Sequence, residues 1–382
     1  MKIIVRMPNW LGDAVLALPA LRAIISHFSR AEIWVAVTSR SLELFETEPR
    51  VTGVLEVPEP LRAADVFRIS QKWRHFKFDL AILLTNSFGS ALVAALAKIP
   101  ERWGYKTDGR SWLLTKGVPR KPRVMEGPGK EKGENHFISP DEADFWPLRH
   151  RAEHQVLYYL RLLQGLGLEV PAEPEISLNI TDDEKEMGRR RLAEYGLDPL
   201  HLQMEKRPLI VLNPGASYGP AKRWPAARFG AVAAGLEKKC GGLSIIIGMA
   251  EEEKLAREVV EASMARGISQ PPVILTGKTT LRELAGILSW ASLMISNDTG
   301  PMHLANALRV PVVALFGPTD PRVTRPWHQP YLVLQKRVIC WPCWYRSCPY
   351  EHSCLKLIDE IEVVSASLAL LQPAERKEAK EK

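Results

Sequence analysis

From Arg207 onward the chain repeats one pattern. A short apolar run stops at a turn-forming residue, and a helical stretch follows. The runs are PLIVLNPG, LSIIIGM, PPVILTG, SLMISND, VPVVALFG and YLVLQ. Between them lie AARFGAVAAGLEKKC, EEEKLAREVVEASMARG, LRELAGILSWA and PMHLANAL. Short apolar runs without polar alternation suit strands covered on both faces, and parallel strands need a crossover element to return. The pattern therefore predicts a doubly wound α/β sheet. The N-terminal half shows the same alternation in KIIVRM, AEIWVAV, GVLEV and DLAILL, with the helical AVLALPALRAIISHF after the first run. Two Rossmann-like doubly wound domains are expected, over 1–175 and 176–355, facing across a cleft. A C-terminal helix and charged tail occupy 356–382. VPAEPEISL, where Pro171 and Pro174 oppose helix, reads as the linker. Residues 119–150, rich in Pro, Gly and charge, read as a mobile insertion.

In such sheets ligands gather beyond the carboxyl ends of the strands. Two stretches place anion-binding groups on that edge of the second sheet. In NDTGPMHLANAL, Asp298 or Thr299 caps a helix, Pro301 sits in its first turn, and Gly300 lets a ligand approach the backbone. The free N–H groups and dipole of such a helix start suit a phosphate. In LNPGASYGPAKRWP, a loop of small residues leads to Lys222 and Arg223. A lysine there acts as a point charge on a phosphate. Taken singly, each stretch also reads as a plain capped helix or a solvated basic loop. Their shared edge favours an anion site.

Three further candidates each carry two readings. Asp13, directly after Gly12 at a strand-to-helix turn, is either a first-turn acid favoured by the dipole or a carboxylate placed to take a proton from a hydroxyl. Glu251 and Glu252 in GMAEEEKLA are either helix-start acids or partners for ribose hydroxyls. His303, in the first turn of its helix, is either structural or within reach of a phosphate. Cys340, Cys343, Cys348 and Cys354 crowd into CWPCWYRSCPYEHSC. They read as reduced packing thiols or as a structural zinc or iron–sulfur site, although two separated pairs would be the usual zinc spacing.

Bulk properties exclude several classes. No apolar run approaches the ~18 residues of a membrane span. A net charge of +7 favours anionic partners, but no nucleic-acid recognition motif accompanies it. No G-x-G-x-x-G follows the first strand, where the sequence reads RMPNWLGD, which weighs against a nicotinamide-dependent oxidoreductase. The N-terminal apolar stretch is interrupted by Arg6 and Asp13, so no export signal is read and the cytoplasm is expected.

GASYGPAKRWP, NDTGPMHLANAL, VALFGPTDP and NWLGDAVLALPAL together resemble the heptosyltransferase family, glycosyltransferase family 9, that builds the inner core of lipopolysaccharide. The GPAKRWP segment is most like the branch that adds the second heptose. The resemblance implies a GT-B fold and an inverting transfer of L-glycero-D-manno-heptose from ADP-heptose to a heptosyl-Kdo2-lipid A type acceptor. It implies no cofactor and no catalytic metal. Asp13 matches the proposed general base and Lys222 the lysine at the donor phosphates. Ser217 and Tyr218 fall in the donor loop, and Asp298, Thr299 and Gly300 match the donor-binding Asp-Thr-Gly. Glu251 or Glu252 would approach the ribose, and Thr279 would lie near the adenine. Arg62, Arg110 and Arg120 are the basic groups offered to the acceptor. The inner-membrane surface is a further expected partner, met peripherally through residues such as Trp73, Arg74 and Trp112. The alternatives are addition of the first or a later heptose, a sugar-nucleotide epimerase or, from another class, a non-catalytic nucleotide-binding module.

Overall fold

The computed structural model describes residues 1–120, 136–138 and 152–372. Most of the segment expected to be a mobile insertion, and the charged tail, lie outside the described residues. The chain divides into two compact units: one holds residues 1–120 and 153–179, the other runs from Ile180 onward and includes the strand at 136–138.

The first unit is built on six strands: β1 (Lys2–Arg6), β2 (Glu32–Val37), β3 (Val51–Glu56), β4 (Leu80–Leu83), β5 (Glu101–Lys106) and β6 (Lys116–Pro119). Their order is β3-β2-β1-β4-β5-β6, with every pairing parallel. β1 and β4 are buried along almost their whole length, as continuous apolar runs in a covered sheet must be. β5 and β6 escaped the sequence reading because ERWGYK and KGVP carry charge and glycine, and only Gly104 and Tyr105 among them are buried. The expected single helix after β1 is two helices, Leu11–Leu16 and Leu18–His27, parted at Ala17, with Pro19 in the first turn of the second. Trp73 lies on the buried face of helix Ala63–Phe76 with Val66, Ile69 and Ser70. At 1% exposed, it packs in the core with Leu55, Leu83 and Leu113. The expectation that Trp73 meets a membrane is therefore corrected: seven residues after Val66 and four after Ile69, it falls on the same helix face and is a core residue.

The second unit carries β7 (His136–Ile138), β8 (Leu209–Asn213), β9 (Leu243–Ile246), β10 (Val273–Ile274), β11 (Leu293–Asn297), β12 (Val312–Phe316) and β13 (Tyr331–Gln335). The order is β10-β9-β8-β11-β12-β13-β7. All pairings are parallel except that of β7 with β13. β8, β11 and β12 are buried at every residue. Helix Ala226–Cys240 covers this sheet and ends at Gly241, whose left-handed φ of 66° closes the turn without a Cβ penalty. The C-terminal helix Glu360–Leu371 packs beside it: Val363, Val364 and Ala366 share a core with Trp224 and Phe229.

In each sheet the strand order reverses once, between β1 and β4 in the first and between β8 and β11 in the second. The loops leaving neighbouring strands diverge there, and the gap is where open α/β sheets hold ligands.

Candidate functional site

At the reversal point of the first unit, the loops after β1 and β4 line a pocket of about 320 Å³. Its walls include Asn9, Trp10, Asp13, Asn86, Arg120 and Tyr158. Asp13 is half-buried in the first turn of helix Leu11–Leu16. A short polar network fixes the loop ahead of it. Arg6, only 5% exposed, donates to the carbonyls of Met7 and Ala36 and, at 2.5 Å, to Asn9 Oδ1. Asn9 in turn donates to Glu59 at 3.1 Å. Burial lowers the Arg6 pKa to about 10, which leaves it charged at neutral pH. Arg6 was read only as an interruption of an apolar run; a cation in the last position of a buried strand was the signal that it supports a site.

The three arginines proposed for an acceptor separate. Arg120 lines the pocket, with its guanidinium 5.7 Å from the centre of the Tyr158 ring and its buried Nε without a hydrogen bond among the described residues. Tyr158 exchanges hydrogen bonds with Asn86 on the opposite wall. Arg62 is exposed at the start of helix Ala63–Phe76, away from the pocket lining. Arg110 is fully buried and donates to the Tyr105 and Ser87 carbonyls and to Ser90. It ties β5 to helix Phe88–Leu96 and presents no exposed guanidinium, because Gly104 leaves space for it beside the strand.

At the reversal point of the second unit, three strand-end loops converge on Asp298. Lys222 Nζ bonds Asp298 Oδ2 at 2.5 Å and the Asp298 carbonyl at 3.3 Å. Thr319 donates to the same Oδ2 at 2.7 Å, and Thr324 donates to Oδ1 at 3.2 Å. The side chains of Lys222 and Asp298 are 12% and 4% exposed. Burial alone would raise the Asp298 pKa; the Lys222 charge and its hydrogen bonds outweigh this and hold the carboxyl below its ordinary value. Next to it, burial takes His303 down to about 4, so the imidazole is neutral at pH 7, and its Nδ1 has no partner in the described structure.

Asn297 sets the frame. Its amide donates to the Pro214 and Gly215 carbonyls, and its carbonyl accepts from the Trp224 backbone N–H at 3.1 Å. Both ends of the loop 214–224 are thus pinned to the tip of β11. Thr299 is the extended residue before helix Gly300–Ala307, and its side chain makes no capping bond. Pro301 has no N–H and Met302 donates to the Thr299 carbonyl at 3.1 Å, so the donors left at that helix start are the Thr299 and Gly300 N–H groups, beside the Lys222 ammonium with two of its three protons engaged.

The remaining candidates sort by contact. Ser217 is exposed, and Tyr218 reaches with its hydroxyl to the Trp344 carbonyl at 2.6 Å. Glu252 is folded onto the loop: it accepts from the Ala216 and Met249 backbone N–H groups at 3.0 Å and from Arg223. This is the work of a loop anchor and cap. Glu251, next in line, is exposed. Thr279 is half-buried in the loop before helix Leu281–Leu288. Thr319, within Gly-Pro-Thr-Asp-Pro, went unread as a site residue; its place in the turn closing β12 was the available signal.

Residues 66–125 and 143–353 match the model of Glycosyltransferase family 9 (heptosyltransferase). The chain belongs to glycosyltransferase family 9. Lipooligosaccharide heptosyltransferase 2 of Campylobacter jejuni subsp. jejuni is 28% identical over 373 residues, covering 96% of this chain and 99% of that protein. Lipopolysaccharide heptosyltransferase 2 of Escherichia coli K12 is 28% identical over 85% of each chain. The solved structure of E. coli ADP-heptose lps heptosyltransferase II superposes with a TM-score of 0.71 at 25% identity, covering 97% and 98% of the two chains. The family match takes in the loops of Lys222, Asp298 and Thr319, whereas Asp13 precedes it.

One expectation for this family 9 chain is adjusted. All five cysteines are free, and no group of three or more His, Cys, Asp or Glu among the described residues is placed to hold a metal ion. The zinc or iron–sulfur reading of Cys340, Cys343, Cys348 and Cys354 is left without a ligand set among the described residues. No helix among the described residues is long and apolar enough to cross a membrane.

Proposed function

We propose that the protein transfers L-glycero-D-manno-heptose from ADP-heptose to the inner core of lipopolysaccharide, with inversion, as a heptosyltransferase II. The observation that carries this is the Lys222–Asp298–Thr319 cluster at the reversal point of the second sheet, beside an uncapped helix start. A cation held by a buried carboxylate next to free backbone N–H groups is suited to a diphosphate leaving group. The names of its relatives support the same donor and acceptor.

In this reading the second unit holds ADP-heptose and the pocket of the first unit holds the acceptor. Asp13 takes the proton of the acceptor hydroxyl as it attacks the anomeric carbon. Negative charge grows on the departing ADP, where Lys222 and the backbone donors of Thr299 and Gly300 meet it. Such preorganised donors are worth roughly 3 kcal/mol each in the transition state. Arg120, in the Asp13 pocket, is the acceptor's cationic contact. The exposed Trp112, 6.1 Å from the exposed Phe88, offers an apolar surface for peripheral contact with the cytoplasmic face of the inner membrane, whereas Arg74 bonds the Leu96 carbonyl at the other end of helix Phe88–Leu96.

The test is incubation with ADP-heptose and a panel of truncated core acceptors, with products read by mass. Heptose added only to an acceptor already bearing one heptose supports the assignment. Addition to a heptose-free acceptor, or only to a longer core, reassigns the step. ADP bound without transfer to any acceptor points to a nucleotide-binding module. Asp13→Ala is expected to abolish transfer while leaving ADP affinity, by calorimetry, unchanged; near-normal turnover refutes the base.

A further inference from the structure

The cysteine-rich segment after β13 is tied into the donor loops from both sides. The Cys343 and Trp344 backbone N–H groups both donate to the Pro318 carbonyl at 3.1 Å. The Trp341 indole donates to the Thr319 carbonyl, also at 3.1 Å. On the other side, the Tyr218 hydroxyl donates to the Trp344 carbonyl, and the Ala221 N–H donates to the Arg346 carbonyl at 3.0 Å. Gly219, at φ 153°, permits this approach: a Cβ there would stand 2.4 Å from the Arg346 oxygen. The segment thus delivers one side chain, Arg346, to the rim of the Lys222 loop. The Arg346 guanidinium lies 5.3 Å from the centre of the Tyr218 ring, and Lys222 Nζ lies 4.9 Å from the same centre. The two cations are therefore at most about 10 Å apart, sharing one aromatic ring.

Charge bookkeeping singles Arg346 out. Lys222 is neutralised by Asp298, Arg223 is paired with Glu252, and Arg322 is paired with Asp320. His303 is neutral at pH 7. Around these loops Arg346 is an exposed cation with no ion pair among the described residues. A diphosphate placed against the helix start would meet a Lys–Asp pair of no net charge, so a further cation is needed to balance it.

We propose that Arg346 is that cation: a donor-binding residue, carried by the cysteine-rich segment, that contacts the diphosphate of the nucleotide and leaves the nucleoside to other groups. The proposal rests on the donor-site reading above. The Arg346 guanidinium is planar and offers a fork of donors, which suits a phosphate clamp.

The experiment is calorimetric titration of the full chain with ADP, AMP and adenosine, for the wild type, Arg346→Gln and Arg346→Lys. Arg346→Gln is expected to weaken ADP by roughly 10- to 100-fold, the worth of a charge-assisted hydrogen bond. Adenosine should bind all three proteins alike, and Arg346→Lys should recover part of the ADP affinity. The salt dependence of ADP binding should flatten in Arg346→Gln, a change that a purely structural role would not produce. The side chain is exposed, so the unliganded melting temperature should hold. Unchanged ADP affinity in Arg346→Gln overturns the proposal, as does an equal loss of ADP and adenosine. A wild type that binds adenosine but gains nothing from phosphates overturns the donor-site reading itself, before Arg346 is at issue.

Discussion

Replacing Lys222 with methionine separates what the buried ion pair does for the fold from what it does for a ligand. The side chains of Lys222 and Asp298 are 12% and 4% exposed and meet at 2.5 Å, so solvent screens the pair weakly. Removing the cation leaves the Asp298 carboxylate buried with only the Thr319 and Thr324 hydroxyls for partners. Stranding one charge of a buried pair costs about 3–5 kcal/mol. At ~2–4 °C per kcal/mol for a unit of this size, the melting temperature should fall by about 10 °C. The double variant Lys222→Met/Asp298→Asn removes both charges; the amide oxygen accepts from one threonine, and the amide NH2 donates to the other, whose hydroxyl can turn to accept. It should be clearly more stable than the single variant, while both lose ADP affinity. In the single variant, burial without Lys222 raises the Asp298 pKa above its unfolded value. The folded state then binds a proton the unfolded state does not, so the deficit relative to wild type should narrow as the solution is acidified. Differential scanning calorimetry across pH 4.5–8 reads both effects. A single variant within about 1 kcal/mol of wild type, or a double variant no better than the single, refutes the argument that Asp298 depends on Lys222.

His303 has its own acid signature. Its folded pKa of about 4 lies below the ordinary 6.5, so the unfolded chain takes the proton first and stability is lost as pH falls from 6.5 towards 4. The loss approaches about 3 kcal/mol at the acid end, and His303→Gln should flatten that limb of a urea-midpoint profile; an unchanged profile counts against it. Gly286→Ala should destabilise by about 1–3 kcal/mol, because the new methyl meets the Glu184 carbonyl oxygen of the neighbouring helix at 2.2 Å and the two backbones must part. Urea denaturation measures it, and a neutral result would show that the helices separate freely.

Strands β8 to β13 of the second unit were legible because each is a continuous apolar run, and continuous runs mark strands covered on both sides; β7, three residues inside the segment read as an insertion, was not. β5 was not: Glu101, Arg102 and Lys106 mask a strand whose inward residues are Gly104 and Tyr105. The loop positions Asp13, Lys222 and Asp298 could be named because strand, small-residue turn and helix follow one another locally. What the pattern could not give was which polar groups meet. Glu252 sits one residue from Glu251, yet its carboxylate folds back onto Ala216 and Met249 while its neighbour stays exposed. Arg110 and Arg62 look alike in sequence, but one fills the space beside Gly104 and the other faces solvent. Such outcomes depend on contacts far apart along the chain, which local spacing does not encode. Thr319 and Asp298 are a further case, 21 positions apart and bonded at 2.7 Å.

Trp224 closes the Lys222 loop, and its indole N–H is held by the Ile358 carbonyl, 134 positions later. Arg228 reaches the same stretch through the Lys356 carbonyl. During synthesis the Lys222 loop leaves the ribosome long before the residues that fasten its far end. A chain ending before Ile358 lacks both the carbonyl that holds the Trp224 indole and the Val363, Val364 and Ala366 side chains that share its core. On the proposed reading, the loop that would hold a nucleotide is fastened late, by the turn at Ile358 just before the last helix, rather than when its lysine is made.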